Sequence, residues 1–353
     1  MFRFNFLIVL LLLLSRAVNS AELPANFTEL SDDVQAVILE YVFFSEQANQ
    51  VWGNDYEESS VHTLVKYLDD FHTRLHIDFD GGRIRVESEG SKTPLTSLKH
   101  AIVATLLTPA DPTSVDLYTA ADLGITGKPF LAGQVLDQDG VSIEYAWRAE
   151  RFADYLLEKK LRHRGARYWV DIPMVQGHKH KSADRYRTLA QNASDKYRVS
   201  VPLILAIMET ESSFNPFAVS HAGAYGLMQV MQATAGKDVF QRIYKQSGKP
   251  SRSYLLNPQN NVDVGTAYLS ILRDVYLRDI KGWKKREYCM IAAYNGGAGN
   301  LLKAFHRDRK TALQIINRMS DNEVYQRIVR HHPKAESRRY LEKVTAFKAA
   351  YVR

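Results

Sequence analysis

Pro202-Leu203-Ile204-Leu205-Ala206-Ile207-Met208-Glu209-Thr210-Glu211-Ser212-Ser213-Phe214-Asn215-Pro216 is the stretch on which the fold of the carboxy-terminal half turns. Nearly every side chain up to Met208 is apolar, so the segment reads as a helix buried on most of its faces. Ser200 can cap it, and Pro202 is tolerated in the first turn. Two carboxylates follow at its end. At 3.6 residues per turn Glu211 lies over Ile207 and Ile204, and Glu209 lies over Leu205 and Ala206. Apolar surroundings disfavour the charged form of a carboxyl and raise its pKa. A carboxylic acid still protonated at neutral pH can donate to a leaving oxygen, which is what glycoside cleavage requires. Periodicity does not rank the two acids, and it equally allows both to be surface groups at a frayed helix end.

Downstream, Ser220 precedes Gly223-Ala224-Tyr225-Gly226-Leu227-Met228-Gln229, a loop broken by glycines before a new helix. Gly226 allows a close backbone approach. Met228 offers a soft apolar contact, and the Gln229 amide can hold an N-acetyl group. Further on, Ala293-Tyr294-Asn295-Gly296-Gly297 ends one helix and starts another, with Tyr294 and Asn295 at the turn where polar groups can face a cleft. These glycines are no phosphate loop, since no strand precedes them and no Lys-Ser/Thr follows.

Around these segments the second half reads as helices throughout, at 183–197, 202–210, 228–246, 260–277, 286–294, 298–305, 312–317, 323–329 and 335–350, with no strand signal. The first half mixes elements. Residues 75–80 alternate apolar and polar, Gly81-Gly82 turn the chain, and Ile84 and Val86 resume the alternation, which predicts a β-hairpin. A second hairpin is expected over 133–145, helices over 98–107 and 148–161, and a strand over 167–174. The two halves meet at Gln176-Gly177-His178-Lys179-His180-Lys181-Ser182, which is polar and basic and reads as a linker or loop. His178 and His180 have no cysteine or acid cluster near them in sequence, so a solvated linker is favoured over a metal site. The fold class expected is an α+β amino-terminal domain with an antiparallel sheet, followed by an all-α domain.

The chain has 353 residues, 45% of them hydrophobic and 24% charged, which suits two globular domains. Its first twenty residues are different. Arg3 is followed by an apolar run from Phe6 to Leu14, too short to span a membrane, and Val18 and Ser20 are small enough for the −3 and −1 pockets of a signal peptidase. A cleaved leader at 1–20 is therefore expected, with an uncleaved anchor as the alternative. Removing Arg3 and Arg16 with the leader lowers the formal net charge from +7 to about +5. A mild positive excess suits an anionic polymer, a nucleic acid or a membrane surface alike, and no nucleic-acid-binding motif is present. The single cysteine, Cys289, excludes an internal disulfide framework and sits in an apolar helical run, where a buried core residue is expected.

Glu211-Ser212 with Phe214-Asn215-Pro216, then Gly226-Leu227-Met228-Gln229, then Ala293-Tyr294-Asn295-Gly296-Gly297 together resemble, in order and spacing, the lytic murein transglycosylase family, whose catalytic domain is of the soluble-transglycosylase, goose-lysozyme-like type. Thr105-Leu106-Leu107, Asp111-Pro112-Thr113-Ser114-Val115-Asp116-Leu117-Tyr118, Phe152-Ala153-Asp154-Tyr155-Leu156-Leu157 and Ala335-Glu336-Ser337-Arg338-Arg339-Tyr340 extend the likeness to membrane-bound members of that family, over essentially the whole mature chain.

The resemblance implies a division into a leader at 1–20, an α+β domain at 21–178 and a lysozyme-like catalytic domain at 179–353. It implies a peptidoglycan lyase that cleaves between N-acetylmuramic acid and N-acetylglucosamine with formation of a 1,6-anhydro end, acting in wall turnover and remodelling. Glu211 matches the catalytic acid/base. Ser220, Met228, Gln229, Tyr294, Asn295, Glu336 and Tyr340 match cleft residues that bind the sugar or its peptide stem. No metal or other cofactor is implied. The partner expected is the glycan strand of the wall, with peripheral association with the outer membrane or wall and no nucleic acid. Glu209 and Ala222 depart from the related sequences, which tend to carry an uncharged amide and, in some, a second serine there. The related membrane-bound proteins are acylated on a cysteine after the signal, where this chain has Val18-Asn19-Ser20-Ala21, so lipoprotein anchoring is not expected, and a soluble periplasmic protein of a Gram-negative bacterium, or one held by an uncleaved anchor, is the expectation. A lysozyme-type hydrolase on the same fold and a non-catalytic murein-binding scaffold are the rival readings.

Overall fold

A computed structural model of the chain describes residue 28 and residues 32–114, 128–220 and 222–352. The expected leader at 1–20, and residues 115–118 of the related segment, lie outside the described residues. The chain divides into two compact units, Met1–Tyr56 and Glu57–Arg353. In the first, Asp32–Trp52 forms a 21-residue helix, α1.

The second unit begins with three antiparallel strands, β1 (Thr63–Leu68), β2 (Thr73–Asp78) and β3 (Arg83–Glu89), crossed by helix α2 (Pro94–Leu107). Helix α3 (Ala146–Lys159) and strands β4 (Arg162–Arg164) and β5 (Arg167–Pro173) complete a five-stranded sheet of order β1-β2-β3-β5-β4. The register lines up Leu64, Ile77, Ile84 and Ile172 across four strands, so alternation along each strand becomes a continuous apolar face. Leu98, Ile102 and Leu106 of α2 and Phe152 and Leu156 of α3 pack in the same cluster. The hairpin expected at 75–86 is present, with Asp80 and Gly81 donating their backbone N–H groups to Asp78 Oδ1 in its turn. The second expected hairpin, over 133–145, is not a strand pair. Residues 133–142 form turns with isolated bridges, because Asp137 Oδ1 draws in the N–H groups of Asp139 and Val141 and competes with a ladder.

The helical region runs α4 (His178–Tyr197), α5 (Val201–Ser212), a two-strand ribbon β6 (Ala224–Tyr225) and β7 (Val230–Met231), α6 (Lys237–Arg242), α7 (Arg252–Leu256), α8 (Pro258–Ile271), α9 (Trp283–Gly296), α10 (Ala298–Lys303), α11 (Arg309–Arg318), α12 (Asp321–His331) and α13 (Ala335–Tyr351). Helix α5 lies in the middle of its core, with Ile204, Leu205, Ala206, Ile207 and Met208 fully buried. Helix α13 packs along α5 and α9. The expected sheet region followed by a helical region is present; the short ribbon is a strand pair that the sequence did not signal, and the helix expected from 228 starts at Lys237, after a wide turn over Gln232–Gly236. Cys289 is buried in the core, as its apolar run predicts.

The segment expected as a linker is the first turn of α4. His178 Nε2 lies 2.9 Å from the Phe79 carbonyl, Ser182 donates to Gln134 Oε1 at 2.8 Å, and Arg185 donates to the carbonyls of Pro129 and Ala132. Helix α4 is thus a joint between sheet and helices, with His178, Ser182 and Arg185 bonded to the sheet region. Phe217, from the helical half of the sequence, belongs to the sheet-side core and meets Phe130 edge-on at 5.3 Å between ring centres.

Candidate active site

Glu211 stands in the last turn of α5, half-buried, with Tyr340 of α13 donating its hydroxyl to Oε1 at 2.7 Å. Burial pushes its carboxyl up to about 8; the Tyr340 hydrogen bond opposes the rise and the Glu336 charge adds to it. The group is therefore a protonated acid at neutral pH, able to give its proton and receive it back. Tyr340 and Tyr294 are themselves held well above the usual phenol range, chiefly by burial and then by the Glu211 charge, so both stay neutral donors.

Glu209, which periodicity could not separate from Glu211, faces elsewhere. Its carboxylate is buried and accepts from the Tyr351 hydroxyl at 2.7 Å, with Lys179 Nζ 3.8 Å away. The acid that perturbs Glu211 is Glu336, 125 residues along the chain, not Glu209 two residues back.

The loop beyond α5 is tied to the helix by Ser212, which is fully buried and donates between the carbonyls of Met208 and Leu227. Asn261 of α8 fixes the other side. It accepts from the Met228 N–H at 2.8 Å and donates to the carbonyls of Tyr225 and Leu255, both at 2.7 Å. Gly226, at φ +69°, packs so closely that a Cβ there would stand 2.5 Å from Asn261 Nδ2. Tyr294 donates to the Met228 carbonyl at 2.8 Å, joining α9 to the same loop.

Among the other residues singled out from the sequence, Ser220 closes the loop tip, its Oγ accepting from Ala224 N–H at 3.0 Å. The Gln229 amide nitrogen donates to the carbonyls of Ala218 and Gly226, while its Oε1 is buried without a donor. Asn295 donates to Glu336 Oε1 at 2.9 Å and accepts from Ser337 at 2.6 Å. Glu211, Tyr294, Tyr340, Asn295 and Glu336 thus form a linked constellation. Met228 is a correction: its side chain is wholly buried against Gly265 and Thr266, so it supports the loop from below and does not face a cleft.

Sequence reasoning missed Asn261, Ser337 and His332. Buried Asn261 carries the loop, and Ser337 and His332 fill the space that Gly296 leaves open, where a Cβ would come within 2.6–2.8 Å of them. A polar residue inside an apolar helix face is the signal that could have marked Asn261. Among the described residues no group of three or more His, Cys, Asp or Glu is placed to hold a metal ion.

Residues 31–185 match the family profile "Membrane-bound lytic murein transglycosylase C, N-terminal domain", and residues 188–317 match the "Transglycosylase SLT domain". The chain is 49% identical over 316 residues to the membrane-bound lytic murein transglycosylase C of Klebsiella pneumoniae (strain 342), covering 88% of each chain. It is 47% identical, with the same coverage, to the protein of that name from Yersinia pestis (strain Pestoides F). The inactive mutant of the lytic transglycosylase Slt from Pseudomonas aeruginosa is a solved structure 25% identical, with a TM-score of 0.37, covering 47% of this chain and 24% of that one. These relatives overturn the expectation of a soluble periplasmic protein without lipid anchoring, since proteins about half identical over 88% of the chain are named membrane-bound. Among the described residues no helix is long and apolar enough to cross a membrane.

Proposed function

The chain belongs to the membrane-bound lytic murein transglycosylase C family, and from that premise we propose that it cleaves the β-1,4 bond between N-acetylmuramic acid and N-acetylglucosamine in peptidoglycan without consuming water. Glu211 gives its proton to the glycosidic oxygen as the bond to C1 breaks. The 2-acetamido group shares the positive charge that develops at C1. Glu211, now ionised, takes the proton of the C6 hydroxyl of the same muramic residue as that oxygen closes on C1. The result is a 1,6-anhydromuramoyl end and a free N-acetylglucosamine hydroxyl. The nucleophile is tethered within the substrate, so one carboxyl serves as acid and then base. Tyr340 orients that carboxyl, Tyr294 fixes the loop at Met228, and Ser220, Gln229 and Asn295 offer hydrogen bonds to the sugar.

The observation that carries this reading is the half-buried Glu211 carboxyl at the end of α5, hydrogen-bonded to the Tyr340 hydroxyl, with burial pushing it up to about 8. A hydrolase is the second reading, because Glu336 lies near enough for its charge to be felt at Glu211 and could activate a water as the second carboxylate. Mass analysis of digested sacculi separates the two. Anhydro ends from wild type, none from Glu211→Gln and continued anhydro ends from Glu336→Gln support the transglycosylase; products heavier by one water refute it. We also assign the sheet region, up to the start of α4, the role of a positioning domain.

A further inference from the structure

The turn that follows Glu211 is built in an unusual way. Ser213 and Phe214 both adopt left-handed backbone, at φ 51° and 63°, and neither is glycine. Side-chain-bearing residues take this conformation at a cost, and two in succession persist only where the surroundings impose it. Here the surroundings are the sheet region. Ser213 Oγ donates to Asp80 Oδ1 at 2.5 Å, in the β2–β3 turn. A hydroxyl has one proton, so the His62 Nδ1 that lies 3.0 Å from the same Oγ is the donor in that contact. Lys179, in the first turn of α4, donates to Asp80 at 2.8 Å and faces Glu209 at 3.8 Å. Asn215 donates to the Val61 carbonyl at 3.2 Å. The end of the catalytic helix is thus gripped from residues 61, 62, 80 and 179, all outside the helix and its loop.

We propose that Asp80 and Ser213 are positioning residues for the reaction, forming a clamp by which the sheet region fixes the turn after Glu211 and keeps water from its carboxyl. The proposal rests on the reading of Glu211 as the acid. Ser213 lies two residues from Glu211, and Ser212 between them binds the Leu227 carbonyl, so a shift of this turn displaces both the acid and the loop carrying Gln229. Small misplacements of a reacting group cost rate out of proportion to their size. The raised titration of Glu211 also depends on its burial, which a loosened turn would relieve.

The decisive variant is Ser213→Gly in the full chain. Glycine adopts φ near 51° freely, so the turn folds without strain while the hydroxyl is lost. Expected is a kcat on sacculi reduced about tenfold with KM unchanged within about twofold, an alkaline limb of the pH profile moved to lower pH, and a Tm not lowered. Asp80→Ala should reproduce the kcat loss and the limb shift, and the double variant should be no worse than Ser213→Gly, since both remove one contact. Asp184→Asn, in an exposed pair with Arg187, should change none of these. A folded Ser213→Gly with wild-type kcat and an unmoved alkaline limb overturns the clamp, as does an Asp80→Ala that loses only thermal stability. These outcomes are independent of the product: an altered product from wild type would sink the reaction reading, whereas a wild-type-like Ser213→Gly sinks only the clamp.

Discussion

In the proposed reaction Glu211 must be protonated to act first as an acid, so the rate should fall as pH rises through about 8. The two side chains that tune it act in opposite senses. Removing the Tyr340 hydroxyl by Tyr340→Phe takes away the contact that lowers the Glu211 pKa, and should move the alkaline limb up while reducing kcat. Glu336→Gln removes a charge that raises it, and should move the limb down, by less at high salt because Glu336 is exposed. The same group makes a stability prediction. Its folded pKa is raised, so in the folded chain it costs stability once the unfolded chain ionises. Relative to Glu211→Gln, wild type should lose stability from about pH 4.5 and continue to do so up to about pH 8. Glu211→Gln should therefore melt higher at pH 8, by about 2–4 °C per kcal/mol recovered, with little difference at pH 4. Glu209→Gln keeps an acceptor for Tyr351 and lies off the site, so it should retain activity within a few-fold, with a modest loss of stability seen in denaturant titration.

At the scale of elements, the site depends on how closely α8 and α13 approach the loops. Gly226→Ala would force φ +69° on a side-chain-bearing residue and drive its Cβ into Asn261 and the Leu255 carbonyl. The backbone strain alone is worth about 1–3 kcal/mol, so urea unfolding should show at least that loss, with activity reduced through the displaced Gln229. The breaks at Gly223 and Gly226 were legible because glycine marks them. The helix expected from 228 was not correctly read: the Met228 N–H is taken by the Asn261 side chain and Gln229 sits at φ 46°, so helical bonding cannot start there. That competition comes from a residue 33 positions away, and no local window contains it. The short ribbon escaped notice for the same reason, since two-residue strands carry no periodicity.

At the scale of the molecule, sheet and helical regions share one compact unit, Glu57–Arg353. Phe217 is its pin, leaving the loop after Glu211 to enter the sheet-side cluster beside Phe130, with Lys66 Nζ over its ring at 5.7 Å. Phe217→Ala should cost about 3–5 kcal/mol and lower the melting of both regions together, as a single calorimetric transition. A fragment comprising 178–353 would expose Phe217 and lack Asp80 and His62; its kcat on sacculi should lie well below that of the full chain, and full-rate cleavage by the fragment would refute a positioning role for the sheet region.

The sequence by itself determined the classes of most of the elements and singled out Glu211 as the acid we propose. Alternation over 75–86 specified the hairpin, six consecutive apolar residues before Glu209 specified a buried helix, and the Glu-Ser-x-Phe-Asn-Pro context chose Glu211 where helix periodicity could not. These are local patterns, and side-chain period and turn chemistry act locally. Only the tertiary structure decided how the surrounding groups bear on the acid. Tyr340 and Glu336 reach Glu211 from the last helix, Asn261 shapes the loop from the side, and Asp80 holds the following turn from the sheet, each across 33 or more residues. Burial and proximity set the titration of a carboxyl, and both are properties of the packed chain that sequence distance does not encode.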